Sequence, residues 1–170
     1  MITVLDSRDS SSFQSLVEVN DYLPLRFRTY SEPLGGVRYV RIGNGETRLL
    51  ELILPSDSME VRGCTVPLVD KRTYQLLTGP EQSSSGLPII ELPDYEFSGP
   101  SSAQRVDTHI DFIAAIERDT IEFQFGGADS FDRSMCCEDV CFLIRGSDLV
   151  GIRVRNRSLS ETERFAAQLT

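Results

Sequence analysis

Between Val106 and Phe125 apolar and polar residues alternate with a period of two, and no other feature of the chain constrains its fold so tightly. Val106, Thr108, Ile110, Phe112, Ala114 and Ile116 fall on one side of a strand, with Asp107, His109 and Asp111 on the other. Ile121, Phe123 and Phe125 repeat the pattern. A turn centred on Arg118-Asp119 sets Glu117 opposite Thr120. It also stacks the apolar pairs Ile116/Ile121, Ala114/Phe123 and Phe112/Phe125. Pattern and register agree, so a hairpin is predicted here.

The same arithmetic predicts two more hairpins. With Gly146-Ser147-Asp148 as a three-residue loop, Arg145 opposes Leu149, and Ile144/Val150, Phe142/Ile152 and Val140/Val154 become apolar pairs, with Asp139 facing Arg155. Nearer the N-terminus, a turn at Asn44-Gly45 sets Val40 against Leu49, Tyr39 against Leu50, Arg38 against Glu51 and Val37 against Leu52. That register leaves Arg41 facing Arg48, an unfavourable like-charge pair. The run Leu49 to Leu54 is apolar on both sides except at Glu51, which predicts a central strand.

Weaker signals fill the gaps. Met59 to Val66 reads as a strand, Pro67 to Thr78 as a short helix ending before Gly79, and Leu87 to Leu92 as an edge strand limited by Pro88 and Pro93. Ser160-Glu161-Thr162-Glu163 is a capping-box pattern opening a second short helix that presents Phe165, Ala166 and Leu169. The expected fold is mainly β, on the border of α+β: antiparallel hairpins forming a sandwich or a curved sheet, with two short helices. The 170 residues read as a single domain, 1–170, with the loops between 79 and 104 as the place where a boundary between two sub-units would fall.

Composition sets limits on partners. Asp and Glu number 26 against 17 Lys and Arg, a formal charge of −9, which argues against nucleic acid and anionic membrane and leaves room for a basic partner. There is no apolar run long enough for a membrane span, and Met1 to Asp6 lacks the layout of a secretory signal, so a cytoplasmic location with reduced cysteines is expected. Lys71 is the only lysine.

Three groups of residues invite a chemical reading. Cys136, Cys137 and Cys141 suggest a metal site, but zinc knuckles need paired ligands, and only Cys64 and His109 remain as distant candidates. Packing cysteines, no metal and no cofactor are therefore expected. His109, the only histidine, stands between Asp107 and Asp111, which could orient an imidazole as a base in a small-ligand binder or hydrolase-type enzyme; a solvated strand face is the simpler account. Gly43-Asn44-Gly45 and Gly126-Gly127 look like phosphate loops, yet the first leads into a strand rather than a helix, so turns are expected.

Charge is concentrated. From Asp107 to Asp139 there are nine acids, Asp107, Asp111, Glu117, Asp119, Glu122, Asp129, Asp132, Glu138 and Asp139, against Arg118 and Arg133. A concentrated acidic face steers a basic ligand, although charge runs also serve only as solvated surface.

The stretch Asp119-Thr120-Ile121-Glu122-Phe123, continuing to Asp148-Leu149-Val150-Gly151-Ile152-Arg153-Val154, resembles a small bacterial β-module of unknown function over residues 119–156. That resemblance implies strands and turns and carries no activity across. In overall character the chain is similar to bacterial immunity proteins, which neutralise toxins, often basic nucleases, by occluding their active sites. The likeness implies a non-enzymatic, acidic binding protein, an immunity or antitoxin-type inhibitor, with Asp107, Asp111, Asp129, Asp132, Glu138 and Asp139 as contact candidates. The alternative is the His109 site with Asp107 and Asp111.

Overall fold

The computed structural model describes every residue except Ser11, Lys71, Tyr74, Asp94 and Thr170. In chain order the strands are β1 (Thr3–Arg8), β2 (Leu16–Glu18), β3 (Leu25–Arg28), β4 (Val37–Gly43), β5 (Leu49–Pro55), β6 (Gly63–Leu68), β7 (Arg72–Thr73) and β8 (Ser84–Ser85). They continue with β9 (Leu87–Glu91), β10 (Ala103–Asp107), β11 (Phe112–Glu117), β12 (Thr120–Phe125), β13 (Arg133–Cys137), β14 (Val140–Arg145) and β15 (Asp148–Val154). Helix α1 (Leu159–Ala166) follows. The strands form a six-stranded sheet in the order β10-β4-β5-β6-β3-β2 and a nine-stranded sheet with the path β7-β11-β12-β15-β14-β13-β8, to which β1 and β9 add beside β15. The mainly β expectation holds.

The apolar faces of both sheets share one core. Leu25, Phe27, Leu50, Leu52 and Leu54 from one, and Phe112, Phe123, Val140, Phe142 and Ile152 from the other, are almost wholly buried. Phe27 of β3 meets Phe142 of β14 edge-on, with ring centroids 5.8 Å apart. Full burial of each such side chain contributes about 1.5–3 kcal/mol.

The alternation that opened the sequence reading belongs to two sheets rather than one strand. β10 runs parallel to β4 in the six-stranded sheet, and β11 pairs with β12 in the nine-stranded one. The chain crosses over at Thr108 to Asp111, where His109 adopts a left-handed φ of +54°. The Thr108 N–H and hydroxyl both donate to the Arg41 carbonyl, at 2.9 and 3.0 Å, which fixes where β10 ends. A period of two is blind to this exchange, because both strands bury the same parity into the common core. The β11–β12 register is the predicted one, from Glu117/Thr120 to Phe112/Phe125.

The other two hairpins differ from the sequence arithmetic in instructive ways. In β14–β15 the pairs Val140/Val154 and Phe142/Ile152 stand as expected, but Ile144 faces Leu149 and Arg145 faces Asp148. The loop is therefore two residues, Gly146-Ser147, and the register shift near Val150 supplies the missing residue as an irregularity in the ladder. In β4–β5 the slip is three residues: Val40 faces Leu52, and Arg41 faces Glu51 rather than Arg48. Asn44 lengthens the turn, since its Oδ1 accepts from the N–H groups of Glu46, Thr47 and Arg48, each at 3.0 Å. Gly43 is required there: its φ is +112°, and a Cβ would lie 2.3 Å from the Arg48 carbonyl oxygen. The predicted like-charge clash disappears, and β5 is central as expected.

Among the described residues only one helix forms. The stretch 67–78, expected to be helical, enters β6 at Pro67 and Leu68, forms β7 against β11, and then runs extended past Leu77; Lys71 and Tyr74 lie outside the described residues. Its backbone bonds to side chains of β12 instead of to itself: Leu77 N–H donates to Glu122 at 2.7 Å, and the Gln75 carbonyl accepts from Gln124 at 2.7 Å. Helix α1 does start with a capping box, but its cap is Ser158 with Glu161 as the reciprocal partner, two residues ahead of the predicted one. Phe165 seats edge-on against Phe123 at 5.8 Å. Arg164 and Gln168 donate to the carbonyls of Val19 and Asn20, so α1 ties β12 to the chain that follows β2.

Candidate functional site

The six carboxylates expected to form a contact surface fall into three groups. Asp107 and Asp111 flank the β10–β11 crossover, Asp129 and Asp132 lie on the β12–β13 loop, and Glu138 and Asp139 form the β13–β14 turn. Val154 pairs with both Ile121 and Val140, which puts the Glu138-Asp139 turn at one end of the nine-stranded sheet. Asp132 accepts from Gly146 N–H at 2.7 Å, placing it beside the β14–β15 turn at the other end. Strands of six residues separate the ends by about 20 Å.

Each carboxylate is also engaged within the chain. Arg41 reaches Asp107 at 2.9 Å, Arg48 bonds Asp111, and Arg145 lies 3.3 Å from Asp129. The N–H and hydroxyl of Ser15 donate to Glu138 at 2.6 and 2.9 Å, and Arg157 and Asn156 hold Asp139 at 2.9 and 2.5 Å. Of the nine acids between 107 and 139, Glu122 is not on a surface at all, being 0% exposed. It is held by Arg153 at 2.5 and 2.6 Å and by the donors from Leu77 and Gln124.

His109 is exposed, and neither neighbouring carboxylate turns to it: Asp107 pairs with Arg41 and Asp111 with Arg48. None of the main clefts among the described residues has His109 in its wall.

The cysteines depart from expectation. Cys136 and Cys137 belong to β13, and Cys136 sits directly opposite Cys141 across the turn, with Cα atoms 4.1 Å apart and the sulfurs joined in a disulfide. The expectation of four reduced thiols is corrected for this pair, and the inference to a reducing compartment loses that support. The other two, Cys64 and Cys137, are buried thiols. Burial first, then Glu51, pushes the Cys64 thiol well above its ordinary value; burial, then Glu138, raises that of Cys137. Both are held protonated, the opposite of what a nucleophile or metal ligand needs. Among the described residues no group of three or more His, Cys, Asp and Glu is placed to hold a metal ion.

Two arrangements escaped the sequence reading. The first is a row of side chains across the outer face of the six-stranded sheet, in the order Asp107, Arg41, Glu51, Thr65, Arg26, Glu18, one residue from each strand. Arg41 bridges Asp107 and Glu51, the second at 3.4 Å; Thr65 donates to Glu51 at 3.2 Å, and Arg26 pairs with Glu18 at 2.9 Å. The second is Glu60, 2% exposed, which lies between Arg8 at 3.2 Å and Arg62 at 3.6 Å. The Arg62 guanidinium stacks on Phe13, 4.1 Å from the ring centroid. The first has no local sequence motif because it depends on which strands are neighbours, and in the second only Glu60 and Arg62 are close in sequence, with Arg8 and Phe13 brought to them by the fold.

No protein-family model matches the chain, and no curated protein matches it. Among the described residues no helix is long and apolar enough to cross a membrane.

Proposed function

We propose that the protein is a non-enzymatic binding protein that engages a basic protein partner, in the manner of an immunity or antitoxin-type inhibitor. The observation that carries this reading is the β10–β11 crossover. The chain turns out to solvent at His109, and the side chains of Asp107 and Asp111 on either side are 49% and 56% exposed. Arg41 and Arg48 fix both carboxylates from behind, so little ordering entropy is lost when a cationic side chain docks on them. The net charge of −9 supports long-range attraction of a basic protein and opposes binding to nucleic acid. A cytoplasmic setting accompanies the immunity reading, and the Cys136–Cys141 disulfide weighs against that part of it.

The test is a set of paired charge reversals, one for each group: D107K/D111K, D129K/D132K and E138K/D139K. Binding is measured against the products encoded beside this gene. The crossover pair is expected to lower affinity about tenfold or more, mostly through a slower and less salt-sensitive association. If all three double variants bind every such product as the parent protein does, the reading is wrong.

A further inference from the structure

The six candidate contact acids are bonded within the chain, whereas a buried arginine donor beside a cleft has no hydrogen-bond partner among the described residues. On the outer face of the six-stranded sheet, Arg26 and Arg41 each find an acid on a neighbouring strand. Arg28, two residues along β3 from Arg26, faces Leu16 on one side and Gly63 on the other, neither of which offers an acid. Its Nε is buried and has no hydrogen-bond partner among the described residues.

Arg28 lines a cleft of about 550 Å³, together with Phe13, Leu16, Tyr30 and the hydroxyl residues Ser12 and Ser31. That volume is typical of small-ligand sites. Two neighbouring groups in its wall are already used: Ser15 is bonded to Glu138, and Thr29 both accepts from Arg62 Nε at 2.8 Å and donates to the Arg62 carbonyl at 3.0 Å. Those bonds stiffen the wall. The Phe13 ring is backed by the guanidinium groups of Arg62 at 4.1 Å and Arg8 at 5.9 Å, which add positive potential from behind while Glu60 offsets part of it.

We propose that this cleft binds a small organic anion whose carboxylate or phosphate is taken by Arg28 and whose flat apolar part packs on Phe13 and Tyr30. A guanidinium presents a planar fork of donors that matches either oxyanion, and a buried donor lacking a partner gains most from one. The proposal stands apart from the basic-partner reading, since it uses a cation on β3, four strands from β10 in the six-stranded sheet.

The experiment uses the full chain labelled with ¹⁵N and titrated with phenyl phosphate, benzoate and, as the uncharged control, benzyl alcohol. The expected result is a saturable shift of the Arg28 Nε–H signal and of the backbone amides of 12–16 and 28–31 with one or both anions, and none with the alcohol. The anion that saturates at lower concentration tells phosphate from carboxylate. Affinity should fall at least about tenfold in R28Q and in R28K, which keeps the charge but loses the fork. R133Q, at an exposed arginine far along the sequence, should bind normally. Three results would each overturn the proposal: no saturable shift with either anion, equal shifts in both Arg28 variants, or shifts spread evenly over surface arginines. If R28Q does not fold, R28K and R133Q still decide the matter.

Discussion

Strands β5 and β12 look alike in sequence, Leu-Leu-Glu-Leu-Ile-Leu in one and Thr-Ile-Glu-Phe-Gln-Phe in the other, each with a single glutamate among apolar residues. The glutamates meet opposite fates. Glu51 has a side chain 25% exposed on an open sheet face, between Arg41 and Thr65. Glu122 is sealed at 0% exposure, because the extended chain around Leu77 and the Ala128–Phe131 loop cover the second face of the nine-stranded sheet. There it makes a closed set of bonds with Arg153, Gln124 and the Leu77 N–H. The lesson is that a strand's own pattern says which residues share a face, and only the covering chain says whether that face is wet.

The sharpest way to test this contrast is to remove one partner on each side. Arg153→Met leaves Glu122 buried and uncompensated, and should lower unfolding free energy by about 3–5 kcal/mol in a urea titration. A loss under about 1 kcal/mol would mean that water reaches Glu122. Next in size is Leu77→Ala, which removes the apolar anchor of the covering segment from its cluster with Ala128, Phe131, Cys141, Leu143 and Val150. It should cost about 2–4 kcal/mol and open the Gln124 side-chain amide to hydrogen exchange.

Helix α1 covers Phe123, the residue that follows Glu122, so weakening its cap probes the same region more gently. Ser158→Ala should cost about 1 kcal/mol by thermal melting. Its partner Glu161 gives the pH dependence: burial pushes that carboxyl up, but the N–H and hydroxyl of Ser158 together with Arg157 outweigh it and hold the group below its ordinary 4.5. A depressed folded value means that this stability is complete above the unfolded value and is lost as pH falls through the folded one. The acid-side slope should flatten in E161Q. Glu51→Gln, on the open face, is expected to give the smallest effect, under about 1 kcal/mol and reduced further by salt. A loss as large as that of Arg153→Met would erase the difference between the two strands.

Legibility in the sequence followed the range of the forces involved. The β11–β12 register was readable because a two-residue turn leaves the cross-strand pairs no freedom once one face must be apolar. The β4–β5 register was not, because the Asn44 side chain gathers three backbone N–H groups and lengthens the loop, an arrangement that the Asn-Gly dipeptide does not announce. The hairpin β13–β14 is hidden in the sequence for a different reason. Cys136 and Cys137 read as packing cysteines or as an incomplete ligand set, though Cys137 and Val140 flank a turn at Glu138-Asp139 just as Glu117 and Thr120 flank theirs. The helix expected over 67–78 failed because its backbone found better partners on β12 than in itself.

By itself, then, the sequence determined that the chain is built from β-hairpins, which face β11 and β12 bury, where α1 begins to within two residues, and how strongly acidic the molecule is. Those are consequences of period, turn chemistry and composition, which act between near neighbours. Only the tertiary structure decided that one alternating run serves two sheets, that the six candidate acids separate into three groups already bonded to the chain's own donors, and that the Arg28 Nε is left beside a cleft with no partner among the described residues. Strand order and crossover bring together residues as distant as Arg41 and Asp107 or Ser15 and Glu138, and burial and charge pairing follow from those neighbours rather than from local pattern.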